Sequence, residues 1–226
     1  MKPICIIAAR SGSKRIKNKN IIRVLGKPII SYPISIAKKS NLFKKILVTT
    51  DSEKIKKVSE KYGAFVPSLR KKKLAKDNVG LQEVLIDFIK SNNLSKENYL
   101  VFLYATAILV NSNMLRKAIF KFKKSGCDFL IGIQEFKSSP LRALRIKRNL
   151  VKFKNEKNSK KNTEGLEKLY HDAGTFFIFK TKTIMKSPKK LPRNTSYYLH
   201  KKFEVCDIDD VEDLNLAKIL LKNKQC

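Results

Sequence analysis

Tryptophan is absent from this chain, and glycine is sparse at 8 of 226 residues. The shortage matters where the first apolar run, Ile4 to Ala9, breaks into the loop "RSGSKRIKNKN", in which Gly12 is the one glycine. A Walker-type phosphate loop and the dinucleotide-binding glycine fingerprint both need more glycines than that, so neither fits. Cysteine is scattered as well: Cys5, Cys127, Cys206 and Cys226 form no CxxC pair and no metal-ligand spacing. Isolated thiols fit a reducing cytoplasm and argue against a disulfide framework. Long apolar runs are missing too. The longest, Val101 to Val110, is about half of a membrane span and includes Thr106. The first residues carry no signal-peptide pattern.

Acidic residues number only 19 against 50 Lys and Arg, for a formal net charge of +31. Nine of the cations are Arg, which leaves 50 − 9 = 41 Lys spread over nearly every segment. A specific nucleic-acid reader gathers its cations, relies on Arg for paired contacts and interleaves aromatic platforms. Dispersed lysine without Trp does not match that pattern. It describes a solvated surface that favours anionic ligands, with no nucleic-acid or membrane partner expected.

What is present alternates. Apolar runs at 4–9, 45–50 and 99–104 read as strands, with shorter ones at 64–67, 128–134, 176–180 and 203–208. Helical spacing recurs near 29–39, 55–62, 81–91 and 113–124, and again from about Val211. Residues 143–153 alternate like a hairpin around Arg148-Asn149, and 154–168 is polar, rich in Lys and Asn and reads as mobile. Hydrophobic residues at 42% suffice for a core. The expected fold class is α/β: one domain over 1–226 with a mostly parallel sheet and a β-rich insertion at about 136–170.

In an open parallel sheet, ligands bind beyond the carboxyl ends of the strands. A small-residue loop there can turn its backbone N–H groups on an anion, with flanking cations adding charge. The loop after the first strand has that composition. Near the other end, "CDIDDVEDL" (206–214) sets Asp207 and Asp209 two apart, on one face if the segment is a strand. Two hard carboxylates suit Mg²⁺, which takes one or two of them plus substrate phosphates and water. The same run also reads as a helix start, with Asp209 or Asp210 as its cap.

The stretch "IAARSGSKRIKNKNI" followed by "GKPIISYPI" resembles the opening of the CMP-sugar synthetases, the cytidylyltransferases that activate sialic, Kdo and related acidic sugars. The resemblance implies a three-layer, Rossmann-like nucleotide-diphospho-sugar transferase fold whose insertion forms a homodimer. It implies that Arg10, Ser11, Lys14, Arg15 and Asn20 hold the triphosphate of CTP, with Ala8, Ala9, Gly12 and Ser13 against the nucleotide. Arg70, Ala75, Asp77 and Gly80, in "PSLRKKKLAKDNVG", would enclose the base. Asp207 and Asp209 would hold Mg²⁺ and, with Arg10 and Lys14, carry the chemistry.

"LYATA", "PLRAL", "YHDAG" and "FEVCDID" resemble one branch of that family, the pseudaminic acid cytidylyltransferases. By that likeness Tyr104, Thr106, His171, Asp172 and Gly174 line the sugar, with Arg142 a candidate for its carboxylate. The implied reaction is attack of the sugar's anomeric hydroxyl on the α-phosphorus of CTP, with pyrophosphate leaving. Legionaminic, sialic or Kdo acids are the alternative sugars. The chain departs from the branch in three places. Asn78 to Leu81 lacks the customary hydroxyls, Ile108 stands where proline is usual, and Thr175 replaces glutamine.

Overall fold

The computed structural model describes residues 2–158, 162–186 and 191–224. The first strand, β1 (Ile4–Ala8), is buried on both faces because every residue is apolar. Two minor strands, β2 (Arg23–Val24) and β3 (Lys27–Pro28), make a small ladder of their own. Then follow α1 (Ser31–Ser40), β4 (Lys45–Thr49), α2 (Glu53–Lys61), α3 (Leu81–Ser91) and β5 (Tyr99–Tyr104). The second half contributes α4 (Ser112–Ser125), β6 (Phe129–Glu135), β7 (Leu144–Lys147), β8 (Leu150–Phe153) and β9 (Tyr170–Lys180). The last elements are α5 (Thr181–Lys186), β10 (Thr195–Leu199) and α6 (Val211–Asn223).

The main sheet runs β10-β6-β9-β5-β1-β4. β1 pairs in parallel with β4 and β5, and β10 with β6, while β9 lies antiparallel between β5 and β6. Period-two alternation divides the core between two faces. Cys5 and Ile7 join Val101 and Leu103 against α1, α2, α4 and α6, whereas Ile4 and Ile6 join Leu100 and Phe102 against α3 and α5. Helices on both faces of a mostly parallel sheet make three layers, the α/β class expected.

β7 and β8 form the expected hairpin, and its two turn residues, Arg148 (φ 49°) and Asn149 (φ 61°), are both left-handed. That is the type I′ geometry which matches the twist of the flanking strands. Residues 159–161 of the polar connector lie outside the described residues, as does Cys226.

Three strand expectations need correction. Residues 203–208 form no strand. Phe203 takes φ 61°, Lys201 N–H bonds the Glu204 carboxylate, and the buried positions Val205 and Ile208 are three apart, which no flat ladder accommodates. The edge strand is β10, where alternating Tyr197 and Leu199 stay exposed and give little apolar signal. Residues 64–67 contribute a single bridge, Leu47 to Phe65, and β9 begins six residues before Phe176, at Tyr170.

Candidate active site

β1 places Ala8 opposite both Thr49 and Tyr104, so the carboxyl ends of three parallel strands share one rim. A cleft of about 550 Å³ opens there. Its walls come from the loop after β1, the segment Arg70 to Leu81, the end of β5 and Asp209.

Of the loop residues expected to touch a nucleotide, Ala8, Arg10, Ser13, Lys14, Arg15 and Asn20 line the cleft. Ala9 does not: it is buried, and its N–H continues the ladder to Thr49 O at 3.0 Å. Ser11 is turned away, because its N–H (2.9 Å) and its hydroxyl both donate to the Asp51 carboxylate. Gly12 is uncrowded, with nothing within 4 Å of an added Cβ, and it is not among the lining residues. Asn20 is nearly buried and donates its amide to Arg10 O at 2.8 Å, so it braces the loop that carries Arg10.

Carboxylates engage the cations of the loop. Arg10 and Lys14 each lie 2.6 Å from Asp77, and their hydrogen bonds hold the Asp77 carboxyl below its ordinary range. Arg15 reaches Asp209 at 3.1 Å and Lys19 reaches it at 3.4 Å, while Lys19 also bonds Ile208 O at 2.7 Å. Arg70 bonds the end of β4 through Thr49 Oγ1 (3.2 Å) and Thr49 O (2.6 Å), and burial lowers its pKa. Ala75 offers its carbonyl to Arg10 at 3.5 Å but, like Gly80, is outside the lining. Val79 and Leu81 do face the cleft, so the loss of hydroxyls in that segment makes this wall apolar.

The acidic run is fixed by the start of α6. Asp210 is the cap: its Oδ1 accepts the Asp213 N–H at 2.9 Å. Asp213 in return accepts the N–H groups of Asp209 (2.9 Å) and Asp210 (3.1 Å). Capping therefore accounts for Asp210 and leaves Asp209 free to face the cleft. Asp207 is exposed and is not among the residues that line the cleft, and because the segment is no strand the two-residue spacing does not itself set the pair on one face. Crowding by surrounding protein, and next the charge of Asp209, raise the Asp207 carboxyl above its usual value, against the opposing pull of Lys19. A hard cation relieves that repulsion, and the donor set fits one bound jointly with phosphate oxygens. Among the described residues no group of three or more His, Cys, Asp or Glu forms a metal cage. Cys206 is pushed up to about 11 by burial and the nearby carboxylates, so it is no nucleophile at neutral pH.

On the expected sugar side, Tyr104 and Thr106 line the cleft. Asp172 joins it through Tyr104, whose hydroxyl donates to Oδ2 at 3.4 Å; burial, then the charges of Asp172 and Asp207, raise the Tyr104 pKa. His171 and Arg142 do not reach the cleft. His171 pairs with Gln134 in the sheet, tilts against Phe136 at 4.9 Å and contacts Asp172 O through Nδ1. Arg142 sits before the hairpin, 6.0 Å over the Phe153 ring. Gly174 also lies outside the lining and packs under Asp207. Thr175 is buried against His200 Nε2 at 3.0 Å, so this departure cannot read a sugar substituent directly.

Sequence reasoning missed Asp51 and Lys19. Asp51 follows a parallel strand next to β1, and that adjacency was the available signal. Lys19 is one lysine in a run of them, and only the return of α6 to this rim distinguishes it.

The cytidylyltransferase family model matches residues 4–224. Pseudaminic acid cytidylyltransferase of Campylobacter jejuni is 39% identical over 226 residues, covering 98% of this chain and 97% of that protein. CMP-N,N'-diacetyllegionaminic acid synthase of the same species is 30% identical over 225 residues, or 98% of this chain and 95% of that one. CMP:2-keto-3-deoxy-manno-octonic acid synthetase, solved in complex with CTP, has the same fold, with a TM-score of 0.74 at 11% identity over 99% of this chain and 100% of that one.

Proposed function

The chain belongs to the cytidylyltransferase family, and from that premise we propose that it couples CTP to an acidic nine-carbon sugar, pseudaminic acid, giving CMP-sugar and pyrophosphate. The observation that carries the reading is the convergence, on one cleft, of Arg10, Lys14 and Arg15 from one end of the chain with Asp209 from the other. The choice of sugar follows the 39% identity to the C. jejuni enzyme over nearly its whole length, above the 30% to the legionaminic acid synthase.

The sugar's anomeric hydroxyl attacks the α-phosphorus and pyrophosphate departs in line. The protein positions the two partners and offsets charge. Arg10 and Lys14 meet the charge on the leaving pyrophosphate, and the apolar Val79–Leu81 wall keeps water from the nucleotide side. Tyr104 and Thr106 orient the sugar. Asp207 and Asp209 would hold Mg²⁺, which supplies Lewis-acid polarisation of the phosphate when bound.

The functional unit of this proposal is a homodimer. On the hairpin, Leu144, Ile146 and Val151 share one face and are 57%, 76% and 58% exposed. A second copy covers such a patch by a self-complementary contact. The cytoplasm is the proposed compartment, since Cys5, Cys127 and Cys206 are free thiols.

Pyrophosphate release from CTP and Mg²⁺ tests the reading, with pseudaminic, N,N'-diacetyllegionaminic, sialic and Kdo acids supplied separately. Release with pseudaminic acid is expected. Release with another of these sugars alone overturns the choice of sugar, and failure to bind CTP overturns the reaction.

A further inference from the structure

The acidic pair leaves one matter open: what holds Asp207 in place, since no ladder includes it. Its support is β9. There the register against β6 slips, so that Phe177 faces Ile131 while Asp172 faces Ile133. The extra residues bulge, and Gly174 takes φ +60°. Bulges of this kind re-aim side chains beside active sites. A Cβ added at Gly174 would stand 2.8 Å from Asp207 Oδ2 and would overlap Cγ and Oδ1. The carboxylate therefore rests on bare backbone. Asp172 fixes the same turn, accepting the Gly174 N–H on Oδ1 at 2.9 Å and the Tyr104 hydroxyl on Oδ2 at 3.4 Å.

Left-handed backbone alone does not demand glycine at this point. Asn18, Asn41 and Asn93 hold that conformation elsewhere in the chain. What excludes a side chain at 174 is Asp207.

We infer that Gly174 is a positioning residue for Asp207: the bulge is the seat that sets where this carboxylate stands, and Asp172 ties the seat to Tyr104 at the cleft. The seat is a matter of packing. Its catalytic meaning rests on the proposed metal role of Asp207.

Gly126 supplies a matched control. It has φ +63° and nothing within 4 Å of an added Cβ, so Gly126→Ala carries the backbone strain without the collision. Thermal unfolding is measured for Gly174→Ala and Gly126→Ala, each with Asp207 intact and with Asp207→Ala. Gly174→Ala should lower Tm more than Gly126→Ala when Asp207 is intact, and by the same amount when Asp207 is Ala. If Gly174→Ala alone is insoluble, the double variant should recover soluble protein. An equal Tm loss at Gly174 in both backgrounds, or no recovery in the double variant, overturns the seat.

The second readout is Mn²⁺ binding in the presence of CTP, followed by electron paramagnetic resonance. Gly174→Ala should weaken it about ten- to a hundredfold, as loss of a ligand's support does, and Gly126→Ala should leave it unchanged. Weakening by Asp207→Ala without weakening by Gly174→Ala overturns the positioning role. Tm coupling, with Mn²⁺ binding unmoved by either variant, supports the seat and overturns the metal reading alone.

Discussion

Arg10 and Asp77 meet at 2.6 Å within the cleft wall, and the second Asp77 oxygen holds Lys14 at the same distance. One carboxylate thus occupies both cations assigned to the leaving pyrophosphate. Asp77→Asn keeps the shape and releases them. Pyrophosphate, titrated calorimetrically at low salt, should bind a few-fold more tightly to the variant. The gain should vanish at high salt, because exposed charges are screened. Equal affinities would show that the contact does not compete with anions.

The two roles first open to the acidic run are now separable. Asp210→Ala removes the cap and should destabilise by about 1 kcal/mol with turnover retained. Asp209→Asn should do the reverse: an unchanged Tm, with turnover falling more than about a hundredfold, beyond the usual effect of losing a supporting partner. Melting curves and pyrophosphate release on the same two preparations check both halves.

His200 gives the fold a pH dependence of its own. It is buried between Phe176 and Tyr198 and bonded to Thr175, while Nδ1 makes no hydrogen bond and lies 3.8 Å from Glu204 Oε2. Burial lowers its pKa from 6.5 to about 4, outweighing Glu204, which pulls it up, while Lys224 adds to the lowering. The unfolded chain therefore binds the extra proton between these values. Stability from neutral His200 is complete above the ordinary histidine value and is lost as pH falls toward the folded one, by at most about 1.4 kcal/mol per pH unit. Tm measured from pH 4 to 7 should climb more steeply for the parent chain than for His200→Gln. Parallel curves would remove His200 as the source.

The hairpin face is the place to break the proposed dimer. Ile146 is 76% exposed and stands opposite Val151. Ile146→Asp should shift sedimentation from dimer toward monomer while leaving the melting of the monomer unit nearly unchanged, since the side chain touches solvent in the single chain. A parent protein that sediments as a monomer at every concentration would end the proposal.

The sequence made the middle of the fold legible where periodicity was strong. β1, β4, β5 and α3 are written in uninterrupted apolar runs or a clean helical stripe. It was least legible at the edge. β10 sets two adjacent tyrosines after two hydroxyl residues on a half-exposed strand, while Val205 and Ile208 carry the apolar signal of a segment that joins no ladder. The site shows the same division. Arg10, Lys14, Arg15 and Asp209 follow from a recognisable loop and motif, and they converge. Ser11 and Ala9 belong to the same motif, yet Asp51 and the ladder claim their donors. Hydrogen bonds to partners far along the chain are set by topology, which one-dimensional spacing does not encode.

The position of β9 also orders events during synthesis. β1, β4 and β5 all lie within the first 104 residues, so their parallel pairing needs nothing from the second half of the chain. β5 and β6 then wait with facing edges open, because the strand that joins them ends only at Lys180. Until it inserts, those edges are the part of the nascent chain most exposed to wrong pairing. Asp207 has no seat before that moment. Arg10 and Lys14 find Asp77 within the first half of the chain, whereas the contacts of Arg15 and Lys19 with Asp209 are closed only by its last segment.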